Sequence, residues 1–369
     1  MTPVETIINN VDLAKAQQRV LVLDPLRGLA ALCVVWFHFV GAGHFSGTGI
    51  FGEWLTASGK YAWAGVEIFF VISGFVLPYA LSKNGYRLRH YFTFLWKRLM
   101  RLEPPYLASI AIILIIEAIS PLIPGFHGAA FKFELPRLLS HLGYLSSFLN
   151  YEWYYIVYWT LAIELQFYLL IALLFPLVAH KRAGVRLAVV VALLLLSLCS
   201  KEDYLLLKYL PFFSLGVITF QYYTNLLSTR AWYFWLVVTA FFCFVTLGFA
   251  ASIFAIAATL AIAAVKALGG HVEFKNRVWL FLSWTGTLSY SLYLLHVPVG
   301  GRVMNLGARF VSGTLGQVFI LAMALLLSFI AAWLLHRLVE KPSQAWSARI
   351  KFRDLRLPIP DVNKKSEAA

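Results

Sequence analysis

Four ionisable side chains lie within stretches of the sequence that are otherwise apolar, and their types suit proton transfer. They are Arg27, His38, Glu67 and Glu164. A charged or titratable group in apolar surroundings is costly, so it tends to face a wet cavity or an interior partner. An imidazole is a general base near neutral pH, and a carboxylate bonded to one ring nitrogen leaves the other available. These residues predict a catalytic centre with His38 as base and Glu67 or Glu164 holding its ring.

The spacing of Arg27 and His38 places both on one face of a helix. Eleven positions at about 100° each make three turns and about 20°, with about 16 Å between the residues along the axis. We predict that the two side chains line one cavity, with Arg27 near its mouth and His38 well inside. The alternatives are an arginine that snorkels to the surface and a histidine bonded to neighbouring backbone.

Glu67 and Glu164 stand in different settings. Glu67 follows Gly65 in a run that packs closely against a neighbour, and it is the candidate for orienting His38; a structural pairing with an arginine is the alternative. Glu164 lies between Trp159 and Tyr168 in a polar, aromatic helix start that is consistent with a pocket. We therefore predict that Trp159 and Tyr168 contact the substrate.

Two further pairs extend the candidate site. Tyr290 and His296 end a late apolar segment and are predicted substrate contacts, with an interfacial histidine as the alternative for His296. Arg98 and Arg101 share a helix face at a spacing of three residues. Arginine forks suit phosphate groups, so these two, with Arg27, are predicted to hold a phosphorylated donor. A simple orientation signal with anionic-lipid contact is the alternative for the arginine pair.

Composition shows which elements must position these residues. The chain has 369 residues, of which 60% are hydrophobic and 13% are charged, whereas soluble domains carry about 25% charged residues. The apolar runs are continuous and do not alternate, which indicates helices that cross a hydrocarbon core of about 30 Å. We predict an all-α polytopic membrane protein with spans at about 25–43, 62–81, 103–119, 155–178, 185–200, 204–223, 231–248, 250–266, 279–298 and 316–338.

The basic residues predict an orientation and a domain organisation. With the N-terminus inside, 24 of the 31 Lys and Arg fall on the cytoplasmic side, which favours N-in and C-in termini and an even number of spans. We expect a cytoplasmic N-terminal segment over 1–22, a transmembrane domain over 23–342 and a cytoplasmic tail over 343–369. Residues 1–20 lack the apolar core of a cleavable signal peptide.

Charge and cysteine content argue against a nucleic-acid-binding protein and against a disulfide-linked or metal-binding protein. The net charge of +14 resides between the apolar runs, where orientation signals belong, so we expect no nucleic-acid partner. The three cysteines lie in apolar segments and predict neither a disulfide framework nor a metal site. The outer connection near residues 144–155 is rich in aromatic side chains. It is interpreted as an interfacial belt or, alternatively, as a platform for sugar rings, with a short interfacial helix around His141.

Several segments occur in a set order along nearly the whole chain. They are Leu23–Gly28 with His38, Gly65–Phe75, Arg98–Arg101, Trp159–Glu164, Ser289–His296 and Glu340–Pro342. In this order and at this spacing they resemble the acyltransferase-3 family of membrane acyltransferases. The resemblance implies a multi-pass protein of the bacterial inner membrane. It also implies transfer of an acyl group, often acetyl, from acyl-coenzyme A to a hydroxyl of a glycan or lipid-linked sugar, with no metal.

The resemblance also implies roles for individual residues. Arg27 and His38 match the family's essential arginine and histidine of the first span, Arg98 and Arg101 its Arg-x-x-Arg motif, and Glu164 the first acidic residue of its fourth-span motif. Three positions depart from the family pattern. Glu67 stands where the family more often has Asp, and Leu165 replaces the second acidic residue of the fourth-span motif. Glu103 occupies a position where Tyr is common. We also expect the stand-alone form, without an appended soluble domain.

The sequence thus supports two functions of different classes. In the first, His38 removes the proton from an acceptor hydroxyl, which attacks the thioester; an acyl-histidine intermediate is a variant. In the second, the chain is a transporter or flippase of a glycan or glycolipid, and the intramembrane His and Glu residues form a proton relay. The side of the membrane on which the acceptor is modified and the oligomeric state stay open.

Overall fold

A computed structural model describes residues 22–43, 45, 47–122, 132–268, 276–311 and 313–352. These residues form fourteen α-helices, short 3₁₀ turns and three π-helical segments, without strands. The helices are α1 Leu23–Trp36, α2 Gly49–Gly59, α3 Gly65–Lys83, α4 Tyr91–Ile119, α5 Leu135–Leu142, α6 Tyr158–Val178, α7 Ala183–Leu196, α8 Leu206–Tyr223, α9 Thr229–Leu247, α10 Phe249–Ala267, α11 Arg277–Leu295, α12 Arg302–Gly307, α13 Thr314–Leu335 and α14 Lys341–Arg349.

The chain is an all-α polytopic membrane protein, as predicted. Among the described residues, seven helical segments are long and apolar enough to cross a membrane. Each of the ten predicted spans falls on a helix, but α7 is short for a crossing, with 14 residues, and α8 and α11 are less apolar than the seven. The number of spans and the N-in, C-in orientation therefore stay predictions.

Close helix contacts set the positions of the first and eleventh helices. Gly28 of α1 lies against the carbonyl of Leu282, and Gly286 of α11 lies against the carbonyl of Asp24, so that a Cβ atom at either glycine would overlap backbone. Small residues let two membrane helices approach at backbone distance. This contact holds Arg27, on α1, beside the inward-facing residues of α11.

Three π-helical segments interrupt or extend the helices, and each contains a histidine. They are Phe37–Gly41 after α1, His296–Gly301 after α11, and His336–Glu340 between α13 and α14. A π-helical turn adds a residue to the helix and changes the direction of its side chains, and such turns are frequent at functional sites. The first two segments lie against each other.

The connection between α4 and α6 packs into the bundle, and its helix α5 matches the short helix predicted around His141. Its polar residues Ser140 and His141 are buried, whereas Leu135 and Leu139 are each 55% exposed. The neighbouring Tyr144 is also buried and stacks on Tyr106 of α4. An apolar outer face with a polar inner face suits a helix seated in lipid.

The first residues of the predicted cytoplasmic tail are helical. The tail is predicted from residue 343, and α14 covers residues up to Arg349 and bonds to α4. The hydroxyls of Ser343 and Ser347 donate to the carbonyls of Arg101 and Lys97, at 3.0 and 2.8 Å. The predicted N-terminal segment, except for its last residue, and the tail beyond residue 352 lie outside the described residues.

Candidate active site

A cavity of about 350 Å³ lies between α1, α3, α4, α6, α11 and the segment that leads into α14. Its volume falls within the range of small-molecule sites, about 300–1,000 Å³. Six of the ten predicted site residues line it, from four different helices: Arg27, Arg98, Arg101, Glu164, Tyr168 and Tyr290. The structure therefore brings together residues that are up to 263 positions apart in the chain, the separation of Arg27 and Tyr290.

Three arginines give the cavity its positive charge. Arg98 and Arg101 lie one turn apart on α4, and Arg27 comes from the first turns of α1. The Arg27 guanidinium lies 3.8 Å from Asp24, and that of Arg98 lies over the ring of Tyr168, 5.6 Å from its centroid. The packing on Tyr168 orients one arginine plane, and planar guanidinium groups bind phosphate in a bidentate manner.

Glu164 places a carboxylate among these arginines. It lies in α6, accepts a hydrogen bond of 2.8 Å from the hydroxyl of Ser73 in α3, and interacts electrostatically with Arg27. The Glu164 carboxylate also makes a side-chain hydrogen bond with Tyr168. Glu164 thus belongs to the cationic part of the cavity.

The inner end of the cavity is closed by Tyr293. Its hydroxyl lies 2.6 Å from that of Thr160 and donates to the carbonyl of Val157 at 3.1 Å. The ring meets that of Phe69 edge to face, with 6.1 Å between centroids. Tyr293, Thr160 and Phe69 line the cavity and form its inner wall.

His38 lies beyond this wall, next to His296. The two imidazole centroids are 5.2 Å apart, and the ring of His296 is 6.0 Å from that of Tyr293. His296 is fully buried, although its position near the end of an apolar segment had suggested an interfacial residue as the alternative. Neither histidine lines the cavity in this conformation.

Glu67, the predicted partner of His38, does not line the cavity and interacts electrostatically with Tyr293 of α11. Gly65 of α3 lies against the carbonyl of Ala30 in α1, and Glu67 follows two positions later, which is about 200° further around the helix. It interacts electrostatically with Tyr209 of α8. Its Oε2 is buried and has no hydrogen-bond partner in the described parts of the chain.

Trp159 also lies outside the cavity, against its wall. Its ring contacts those of Phe70 and Tyr209, with centroid distances of 6.4 and 5.5 Å. It packs against the large apolar core rather than the cavity. A direct contact between Trp159 and the substrate is thus not available in this conformation.

Sequence reasoning missed a hydrogen-bonded cluster at the cavity mouth. The buried carboxylate of Glu340 accepts bonds from Ser291 at 2.6 Å, Gln344 at 2.9 Å and the Nδ1 of His336 at 2.9 Å. Both His336 and Glu340 line the cavity. The signal available in the sequence was the Glu340–Pro342 segment, which had been used only to support the resemblance. Tyr293 and Thr160 were also missed, and nothing in their local sequence distinguishes them.

The candidate site offers acid–base groups and cationic groups rather than a metal centre. In the part of the chain that the structure describes, no group of three or more His, Cys, Asp or Glu side chains is arranged to hold a metal ion. The arginine cavity suits an anionic, phosphorylated ligand, and the two imidazoles beyond its inner end suit proton transfer.

Comparison with known proteins identifies one match. The model of the acyltransferase-3 family, described as an acyltransferase domain, matches residues 20–333. The matched region includes all ten predicted site residues and ends before His336 and Glu340. No curated protein and no solved structure was found to match.

Proposed function

This chain belongs to the acyltransferase-3 family, and from that premise we propose that it transfers an acyl group, first of all acetyl, from acyl-coenzyme A to a hydroxyl. The acceptor is a glycan or a lipid-linked sugar. The observation that carries the proposal is the cationic cavity, which is lined by Arg27, Arg98 and Arg101 and ends at the wall that separates it from His38 and His296.

The donor occupies the cavity with its phosphates toward the arginines. Coenzyme A joins a phosphorylated nucleotide to a long, uncharged arm that ends in the thioester. Arginine forks bind the phosphates, and the arm extends toward Tyr293 and Thr160. Glu164 partly balances the arginine charges and keeps their guanidinium groups in place when the donor is absent. Glu164 thus acts on the donor side of the site, whereas Glu67 lies outside the cavity.

Chemistry takes place at His38 once the inner wall has opened. The imidazole takes the proton of the acceptor hydroxyl, and the oxygen attacks the thioester carbonyl carbon. The carbon–sulfur bond then breaks, and the leaving sulfur receives the proton from His38, so the products are the ester and free coenzyme A. General base catalysis of this kind contributes about 10²–10⁴-fold. Movement of Tyr293 away from Thr160 is the step that admits the thioester.

The separation of the cavity from the histidines would protect the donor thioester from hydrolysis. A thioester that met water beside a general base would hydrolyse, and closed sites suppress such side reactions. With Tyr293 in place, the donor can bind without contact with His38. The inner wall then opens when the acceptor binds, so hydrolysis of the thioester stays slow when no acceptor is present.

Thiol release tests the proposal. Purified protein in vesicles is supplied with acetyl-coenzyme A, with and without crude cell-envelope glycan, and free coenzyme A is measured. We expect release that depends on the acceptor. Donor binding without release across a panel of glycans and lipid-linked sugars would contradict the proposal. Transport of such a glycan by vesicles that release no thiol would favour the transporter instead.

A further inference from the structure

We propose that His296 is the positioning residue for His38, in the place that a carboxylate occupies in many catalytic triads. This inference rests on the proposed function and names the group that directs its base. In this arrangement, Nε2 of His296 accepts the N–H of the His38 imidazole. The other nitrogen of His38 is then the one that meets the acceptor hydroxyl.

The tautomer of His296 is fixed by its backbone contact. Its Nδ1 lies 3.0 Å from the carbonyl oxygen of Leu292, one turn earlier in α11. A carbonyl oxygen only accepts, so Nδ1 must carry the hydrogen. In the neutral ring, Nε2 then has a free lone pair and is an acceptor.

This Nε2 acceptor is buried and is not bonded within the described structure. The His296 side chain is 0% exposed, and its Nε2 is among the buried polar atoms that lack a partner. A buried acceptor without a donor destabilises a fold, so a buried unsatisfied acceptor such as this nitrogen requires an explanation. Structural needs alone would be met as well by an apolar side chain of similar size.

His38 is the titratable group beside this ring. The ring centroids are 5.2 Å apart with an interplanar angle of 51°, and the two rings interact electrostatically. Both belong to π-helical segments that lie against each other, Phe37–Gly41 and His296–Gly301. In the proposed arrangement, one nitrogen of the His38 ring is directed at His296 Nε2.

The proposed arrangement conserves protons at every step. When His38 takes the proton from the acceptor hydroxyl, the imidazolium donates one N–H to His296 Nε2. His296 keeps its own hydrogen on Nδ1, bonded to Leu292, and does not change its charge. When His38 returns the proton to the leaving sulfur, the pair is restored. The partner His296 thus holds the ring of the base, His38, in a fixed orientation.

Two amide substitutions separate positioning from packing. In His296→Asn the amide nitrogen overlays Nδ1, so the bond to Leu292 survives and the acceptor at Nε2 is lost. In His296→Gln the amide oxygen lies near the Nε2 position and can accept from His38. We expect His296→Asn to lower kcat by about tenfold or more with an unchanged KM for acetyl-coenzyme A, and His296→Gln to recover part of it. Equal losses in both, or no loss in either, would overturn the proposal.

A double variant and a spectroscopic measurement complete the test. Because the two histidines act as a unit, His38→Ala with His296→Asn should be no slower than His38→Ala alone. The ¹⁵N spectrum of histidine-labelled protein at pH 7 should show His296 neutral with its hydrogen on Nδ1, its signal assigned by its loss in His296→Asn. A double variant that is slower than His38→Ala alone, or a hydrogen on Nε2 of His296, would overturn the role of His296. Either result would leave the proposed function intact. A wild type that binds donor and transfers no acyl group would overturn both.

Discussion

Arg27 and His38 lie eleven positions apart, on the first helix and on the π-helical segment that follows it, yet only Arg27 lines the cavity. Arg27 lines the cationic cavity, whereas His38 contacts His296 beyond the inner wall. The first helix therefore connects the proposed donor site with the proposed base. In the proposed mechanism, movement of the Tyr293 side chain connects the donor site with the base.

Replacement of Arg98 tests the donor site. Arg98→Lys keeps the charge and loses the planar fork that packs on Tyr168, so we expect an increase in KM for acetyl-coenzyme A of about tenfold. Arg98→Gln should raise it further. The control is Arg349→Gln, which removes an exposed arginine of α14 outside the cavity. Equal donor affinity in all three variants, by equilibrium binding, would contradict a phosphate site at Arg98.

Two substitutions at the inner wall test its role as a barrier. Tyr293→Phe removes the hydroxyl that meets Thr160 and Val157 but keeps the ring against Phe69. Thr160→Val removes the other side of the same contact. We expect both to raise the release of coenzyme A thiol in the absence of acceptor, because the thioester reaches the histidines more often. If both variants lose transfer without added hydrolysis, Tyr293 contributes to the chemistry and is not a barrier.

The two glutamates should respond differently to the same isosteric change. Glu164→Gln removes a negative charge from the arginine cavity and should strengthen binding of the anionic donor, since it frees Arg27 from its neighbour. Glu67→Gln should keep donor binding and most of the transferase activity, because Glu67 lies outside the cavity. Acceptor-dependent thiol release measures both. Loss of activity in Glu67→Gln at normal expression and folding would restore Glu67 as the partner of His38.

His141 should make the fold sensitive to acid. Burial lowers its pKa to about 4, against an ordinary value of about 6.5. The unfolded chain therefore binds a proton at a higher pH than the folded one. The stabilisation by neutral His141 is complete above about pH 6.5 and is lost as the pH falls toward 4. Its Nε2 accepts from the backbone N–H of Tyr154 at 2.8 Å, a bond that protonation breaks.

Thermal unfolding of purified protein between pH 7 and 4 checks the acid response of His141. The midpoint should fall with pH in the wild type. His141→Gln, which keeps an acceptor near the Nε2 position and cannot be protonated, should show a smaller fall. Parallel curves for the two proteins would show that other groups account for the acid sensitivity.

Loss of the Glu340 carboxylate should affect the cavity mouth. Glu340→Ala leaves Ser291, Gln344 and His336 without their common acceptor. Of these donors Ser291 is fully buried, and an unmet buried donor costs about 1–3 kcal/mol. We expect a lower unfolding midpoint and a higher KM for the donor. Glu340→Gln, which keeps one acceptor oxygen, should be intermediate. An unchanged KM in Glu340→Ala would separate this cluster from donor binding.

The residues that line the cavity were predictable because local rules identify them. Helical spacing placed Arg98 and Arg101 on one face, and the cost of charge in an apolar segment singled out Arg27 and Glu164. The helices themselves follow from apolar runs of sufficient length, and the acyltransferase-3 resemblance is confirmed. The roles of these side chains stay predictions.

The partners of His38 were not predictable in the same way. The face of α3 that meets α1 is decided by where Gly65 packs, so periodicity within one segment left Glu67 as an equally good neighbour. The π-helical segments change the direction of His296 and His336 by a fraction of a turn, which an ideal helix does not anticipate. Contacts such as that of Tyr293 with Thr160 join segments that are far apart in the chain, and they cannot be inferred from the local pattern of a single sequence.

The most direct measurement follows radiolabelled acetyl groups from acetyl-coenzyme A into cell-envelope glycan, with wild-type protein and His38→Ala compared in vesicles. Donor binding is measured in parallel, since the arginine cavity is intact in the variant. We expect labelled glycan with the wild type, and incorporation that is slower by about 10²-fold or more with a variant that still binds the donor. Incorporation by His38→Ala at the rate of the wild type would contradict the central role of His38.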